Sequence, residues 1–172
     1  MVEKKKKFFE VEIPLISQKI NVLSTDEALL PGRIIKMDLT RALKGKNVEG
    51  TIIIEKKDNK LVGRFVGLWV FPSFIRRMIR KGTSYIEGSF RCGTMILKPY
   101  MLTRKRVHRS VRKALRNESE KFLCDYASKI DNEALFYDLL TGKLQKSLSL
   151  HLKKIYPLTF CEIRVAKEIK KQ

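Results

Sequence analysis

Residues 94–116 run TMILKPYMLTRKRVHRSVRKALR, and the spacing of their apolar positions changes partway along. Up to Met101 the run reads as a strand, the last of several in series. Beyond Thr103 the apolar residues Val107, Val111, Ala114 and Leu115 recur at helical spacing. A boundary between a strand-rich part and a helical part therefore falls near Tyr100.

Upstream of it, β-branched runs punctuated by glycine and charged turns predict strands over 8–13, 33–37, 48–55, 61–68, 84–90 and 94–101. The polar segment Lys56, Lys57, Asp58, Asn59, Lys60 joins two runs of similar length and predicts a hairpin. Between the strands, 72–80 opens on Pro72 and places Phe74, Ile75, Met78 and Ile79 at helical spacing, which predicts a short connecting helix. Downstream, 131–140 and 143–155 predict two further helices. Gly142 stops the first, and Leu144, Leu148, Leu152 and Ile155 form the buried stripe of the second. Pro157 ends that helix, and alternation returns over 160–166.

One domain, 1–172, is the expectation, of α+β class. It comprises a β-barrel-like antiparallel sheet over 8–101 and a helical region over 103–155 that packs three C-terminal helices on it. A final strand, 160–166, returns to the sheet, and a basic tail, 167–172, closes the chain. The return is required because Ile163 and Val165 would otherwise leave their apolar edges in water.

Charge narrows the function. Lysine and arginine number 37 against 18 acids, a formal net charge of +19. Self-repulsion of that size calls for a polyanionic partner, and a basic fold with a substantial core favours nucleic acid over a membrane surface. The cations concentrate at Lys98, Arg104, Lys105, Arg106, Arg109, Arg112, Lys113 and Arg116, with no acid among them. At about 100° per residue Arg106, Arg109, Arg112, Lys113 and Arg116 fall opposite the apolar stripe. A solvated helix face ordinarily mixes signs, because like charges one turn apart repel. An unopposed row is explained by phosphates, which arginine can engage with a two-pronged fork. The lysines of 4–7 carry less weight, since terminal lysine runs also serve only as solvated ends.

Other classes lack their signatures. The acids Glu10 and Glu12 interrupt the apolar stretch that a signal peptide would need, and no run reaches the length of a membrane span. Cys92, Cys124 and Cys161 are odd in number and widely spaced, so they read as reduced thiols rather than a disulfide framework or a zinc site. His108 lies among arginines and His151 borders an apolar stripe, and neither is placed as a catalytic base. No nucleophile elbow, phosphate loop, dinucleotide fingerprint or zinc-helix motif occurs, so no enzyme, cofactor or metal is expected. Trp69 and Phe71 read as core rather than as a base-stacking platform.

The chain resembles a known family. The order of Gly32-Arg33-Ile34, Lys81-Gly82-Thr83-Ser84, Leu97-Lys98-Pro99, Thr103-Arg104-Lys105-Arg106, Gly142-Lys143-Leu144 and Lys153-Lys154-Ile155-Tyr156-Pro157-Leu158 is similar to that of the archaeal-eukaryotic small-subunit ribosomal protein family eS-one, formerly S-three-a-e. The last block, with Glu162-Ile163-Arg164 after it, is the most specific. The resemblance implies a β-barrel-like core with flanking helices, and a structural role without catalysis in the cytoplasmic ribosome. It also implies a place on the small-subunit platform near the messenger exit and the 3′ end of the small-subunit ribosomal RNA. The implied partners are that RNA and neighbouring platform proteins, with no membrane and no obligate homo-oligomer. The chain reads as a trimmed member: Phe8-Phe9 and Ile13-Pro14 stand where relatives carry a Trp-Tyr-like pair and Ala-Pro. In addition, the hairpin at Arg91-Cys92-Gly93 and the connection before Val48 are short, and a longer C-terminal extension of some relatives is not expected.

Overall fold

Alternating burial along β-branched runs builds nine strands among the described residues, and they lie in one sheet. The computed structural model describes residues 6–43, 45–57 and 60–169. The order is β1 (Lys7–Ile13), β2 (Gln18–Ser24), β3 (Ile34–Asp38), β4 (Val48–Lys57), β5 (Lys60–Val70), α1 (Pro72–Met78), β6 (Tyr85–Glu87), β7 (Phe90–Cys92), β8 (Met95–Thr103), α2 (Arg109–Lys129), α3 (Asn132–Thr141), α4 (Lys143–Leu152) and β9 (Leu158–Glu168).

The expected α+β class is present, with three C-terminal helices and a last strand that joins the sheet. The sheet is mixed and open rather than closed and purely antiparallel, because β1 meets β5 in parallel at Glu12 and Val62. β5 is the hub. One edge pairs with β4 along its whole length, from Lys60 opposite Lys57 to Val70 opposite Val48. The other edge is divided, with β1 at Val62 and β9 at Gly67, Leu68 and Trp69. Asp58 and Asn59, at the tip of the predicted hairpin, lie outside the described residues, as do the lysines of 4 and 5 and the end of the basic tail at 170–172. The strand predicted over 160–166 extends to Glu168, so Lys167 and Glu168 belong to the sheet and not to a tail. Strand β2 carried no expectation, and the single strand predicted over 84–90 is broken into β6 and β7, which pair side by side with β8.

A bulge in β5 re-aims a side chain. Thr51 faces Gly67 while Ile52 faces Phe65, so Val66 is an extra residue in the ladder. Before it the odd positions Leu61, Gly63 and Phe65 are buried; after it the even positions Leu68 and Val70 are. Trp69 is therefore turned out and is 37% exposed, which corrects its expected place in the core. Gly63 meets another need: a Cβ there would lie 2.8 Å from Ile52 Cγ2 and 3.1 Å from Ile13 Cγ1, so only glycine lets β1 and β4 pack this closely around β5.

Helix α2 packs on β6, β7 and β8, α4 on β9 and α3 on β5. From α2, Leu115 and Leu123 are buried, with Val111, Phe122 and Tyr126 packed against the same core; Ala114, expected on that stripe, is exposed. Gly142 ends α3 with φ 78°, a left-handed geometry that glycine adopts without strain, and α4 starts at once. Arg64 on β5 forks to Glu55 on β4 at 2.8 Å and to Glu168 on β9 at 2.7 Å, tying three strands together.

The cysteines correct another expectation. Cys92 on β7 and Cys124 on α2 form a disulfide, with Cα atoms 4.7 Å apart. Their separation of 32 residues hid a juxtaposition that arises only when α2 packs on the short β7–β8 hairpin. Cys161 is free, and burial pushes its thiol up to about 12. Iodoacetamide at pH 8 should therefore label none of the three cysteines in the native protein and Cys161 alone after denaturation without reductant. Reduction should add Cys92 and Cys124 and lower the unfolding free energy by about 3 to 4 kcal/mol, the entropy of closing such a loop; native labelling of Cys92 by mass spectrometry would contradict this.

Candidate nucleic-acid interface

The basic segment begins at a buried hydroxyl. Thr103, the last residue of β8, is fully buried, and its Oγ1 accepts the Ser84 N–H at 3.0 Å and donates to Lys105 O at 2.7 Å. The Ser84 hydroxyl in turn accepts the Val107 N–H at 3.1 Å. Two of the short motifs singled out in the sequence, 81–84 and 103–106, thus meet and hold residues 104–107 off the sheet end. His108 is the N-cap residue, and α2 starts at Arg109.

This places the predicted cations in three groups. Arg109, Arg112, Lys113 and Arg116 lie at i, i+3, i+4 and i+7 on α2, one exposed stripe, as the helical spacing predicts. Arg104, Lys105 and Arg106 are exposed in the loop before the helix, so Arg106 is a neighbour of the stripe and not a member of it. Lys98 stands apart, half-buried in β8 and paired in register with Val165. Among the described residues none of the seven exposed cations is paired with a carboxylate. The first turn of α2 carries no acid, so the positive end of the helix dipole adds to the same field.

The stripe faces a cleft of about 550 Å³ between α2 and β6, lined by Tyr85, Arg109, Arg112, Lys113, Arg116 and Asn117. Arg116 Nε donates to Glu87 O at 2.9 Å, which fixes the far end of the row. The Glu87 carboxylate is engaged behind the wall by the Tyr85 hydroxyl and the Arg164 guanidinium. Burial, then the hydrogen bond to Glu87, raises the Tyr85 phenol to about 12, so the ring stays neutral. Tyr85 and Asn117 carried no expectation. The alternation of Tyr85, Ile86 and Glu87 could have shown that Tyr85 and Glu87 share the face opposite buried Ile86, but their closeness to α2 exists only in the fold.

His151 is held structurally, as expected. Its Nε2 lies 2.8 Å from Glu118 Oε1 and its ring 5.0 Å from that of Phe122, so it links α4 to α2. This bond holds the Glu118 carboxyl below its usual range, and the stability it adds fades as pH falls through that lowered value. Among the described residues no three side chains gather as metal ligands, and no helix is long and apolar enough to cross a membrane.

Fold and site together define a basic α+β protein with an unopposed cationic edge. Residues 3–172, nearly the whole chain, match the Ribosomal S3Ae family, and the chain belongs to that family, which is ribosomal and not enzymatic. The proteins named small ribosomal subunit protein eS1 include three similar relatives. That of Staphylothermus marinus is 27% identical over 95% of this chain and 83% of its own. That of Methanothermobacter thermautotrophicus is 27% identical over 93% and 88%, and that of Desulfurococcus amylolyticus 28% over 93% and 81%.

The Thr103 anchor is testable. Thr103→Val removes the acceptor for the Ser84 N–H and should lower the unfolding free energy by about 1 to 3 kcal/mol. Trypsin should then cut faster after Arg104, Lys105 and Arg106, while Thr103→Ser stays near the parent; an unchanged cleavage pattern would remove the anchor from the account.

Proposed function

We propose that the chain is a structural, non-catalytic constituent of the small ribosomal subunit in the cytoplasm, and that the edge formed by Arg104, Lys105, Arg106, Arg109, Arg112, Lys113 and Arg116 grips phosphates of the small-subunit ribosomal RNA. The observation that carries this reading is the exposed row at the start of α2, four cations without a carboxylate partner among the described residues, beside three more in the loop before it. Family membership and the names of the relatives support the assembly. The platform location, near the messenger exit and the 3′ end of the RNA, with neighbouring platform proteins as partners, rests on the family resemblance. Lys98, half-buried on β8, would contribute a separate contact.

Cations of this kind serve by neutralising phosphates, each contact releasing condensed counterions, so affinity for RNA falls with salt in proportion to their number. Two measurements follow. In a lysate the protein should sediment with small subunits and whole ribosomes through a salt wash, and its recovery only in the soluble top fractions would overturn the structural reading. In binding isotherms, Arg109→Gln with Arg112→Gln should reduce the log-log salt slope by about 1.5 to 2, with the circular dichroism unchanged because glutamine is a good helix former. A slope that stays the same would take α2 out of the RNA-binding surface.

A further inference from the structure

A row of cations alone serves a duplex as well as a single strand, since both offer phosphates. The cleft wall opposite the row is different in kind. Tyr85, a residue 41% exposed, lines the cleft beside the cations. Its position is fixed on two sides: its ring lies 5.0 Å from that of Tyr100, itself fully buried, and its hydroxyl is held by Glu87. A ring so held loses little conformational freedom when something stacks on its open side. Asn117, exposed at the end of the cleft, offers both an amide donor and a carbonyl acceptor within one side chain, the combination that reads the edge of a base. The Glu87 carboxylate is engaged by Arg164 and Tyr85.

We infer that this cleft takes an unpaired RNA nucleotide, its base stacked on Tyr85 with an edge toward Asn117 and its flanking phosphates on Arg109, Arg112, Lys113 and Arg116. The inference rests on the phosphate reading of the row and adds to it that the strand is single at this point. In a paired helix the bases are stacked on one another and the faces are closed to a protein side chain; only a loop, bulge or end can turn a base face outward. An aromatic ring among arginines is the arrangement with which proteins hold single strands, stacking supplying what phosphate contacts cannot distinguish. The geometry also separates the roles: Tyr85 projects from β6 and the cations from α2, so one can be changed without removing the other.

The test compares three RNA probes against the full chain at several salt concentrations, by fluorescence anisotropy. They are an oligoadenylate of about twelve nucleotides, the same length of chain with abasic residues in place of the bases, and a duplex of equal length. The intact strand should bind about five- to tenfold more tightly than the abasic one, with parallel salt slopes because the charges are alike, and more tightly than the duplex. Tyr85→Leu should abolish the difference between intact and abasic strands, and Tyr85→Phe should keep it. The comparison of probes on the unaltered chain decides the matter even if Tyr85→Leu fails to fold. Equal binding of intact and abasic strands, or tighter binding of the duplex, would overturn the inference while a steep salt slope left the phosphate reading standing. A flat slope on all three probes would overturn both.

Discussion

The placement of β9 is the constraint on which the sheet depends. Its ladder with β8 runs from Met95 opposite Glu168 to Thr103 opposite Leu158, and its other edge bonds β5 at Gly67, Leu68 and Trp69. Among the described pairings it is the link between the β1–β5 group and the β6–β8 group. Buried Ile163 and Ala166 lie on it, within the same core as Phe136 and Leu148 of the helices. The helices consequently rest on a floor whose two halves are joined by a strand from far along the chain, Val165 of β9 lying opposite Trp69 of β5, and the cationic edge stands where that floor ends. A ladder closed over such sequence distances forms late, because loop-closure entropy must be met before the distant pairing contributes.

The edge itself is tied down. Thr103 and Ser84 tie the start of the basic segment to the sheet end, leaving 104–106 in an exposed loop, and α2 starts two residues after Val107, the first residue of the apolar spacing. The hydroxyls that do this are short and partly or wholly buried, so the loop is tied to the sheet end by hydrogen bonds that water cannot easily replace. Cations presented this way have already lost part of their backbone freedom, which favours binding to a partner of fixed shape.

Where local pattern and tertiary structure agree, the chain was legible. The strands over 48–55 and 61–68, the helices at 131–140 and 143–155 with Gly142 between them, and the returning strand all follow from spacing and from the residues at their ends. The cation stripe on α2 was legible for the same reason. Where a side chain's fate depends on a partner far along the chain, the pattern was silent or misleading. Nothing local brings Cys92 to Cys124 or Tyr85 to Arg112, and in 18–24, where Leu23 is exposed and Ser24 buried, the pattern breaks off before it marks a strand, which β1 alongside completes. Trp69 misled because apolar runs are read with a constant phase, and β5 changes phase.

That change of phase makes the bulge itself, and not only residue type, a constrained feature of β5. Exchanging Val66 for another side chain alters one half-buried surface. Closing the bulge, with Val66 drawn into the ladder opposite Thr51, would reverse the in-and-out order of everything that follows: Trp69 would turn toward the interior while Leu68 and Val70 turned out, beside the point where β9 joins. Loss of Val66 would not do so, because Phe65 and Gly67 would then be consecutive opposite Ile52 and Thr51, which are consecutive already.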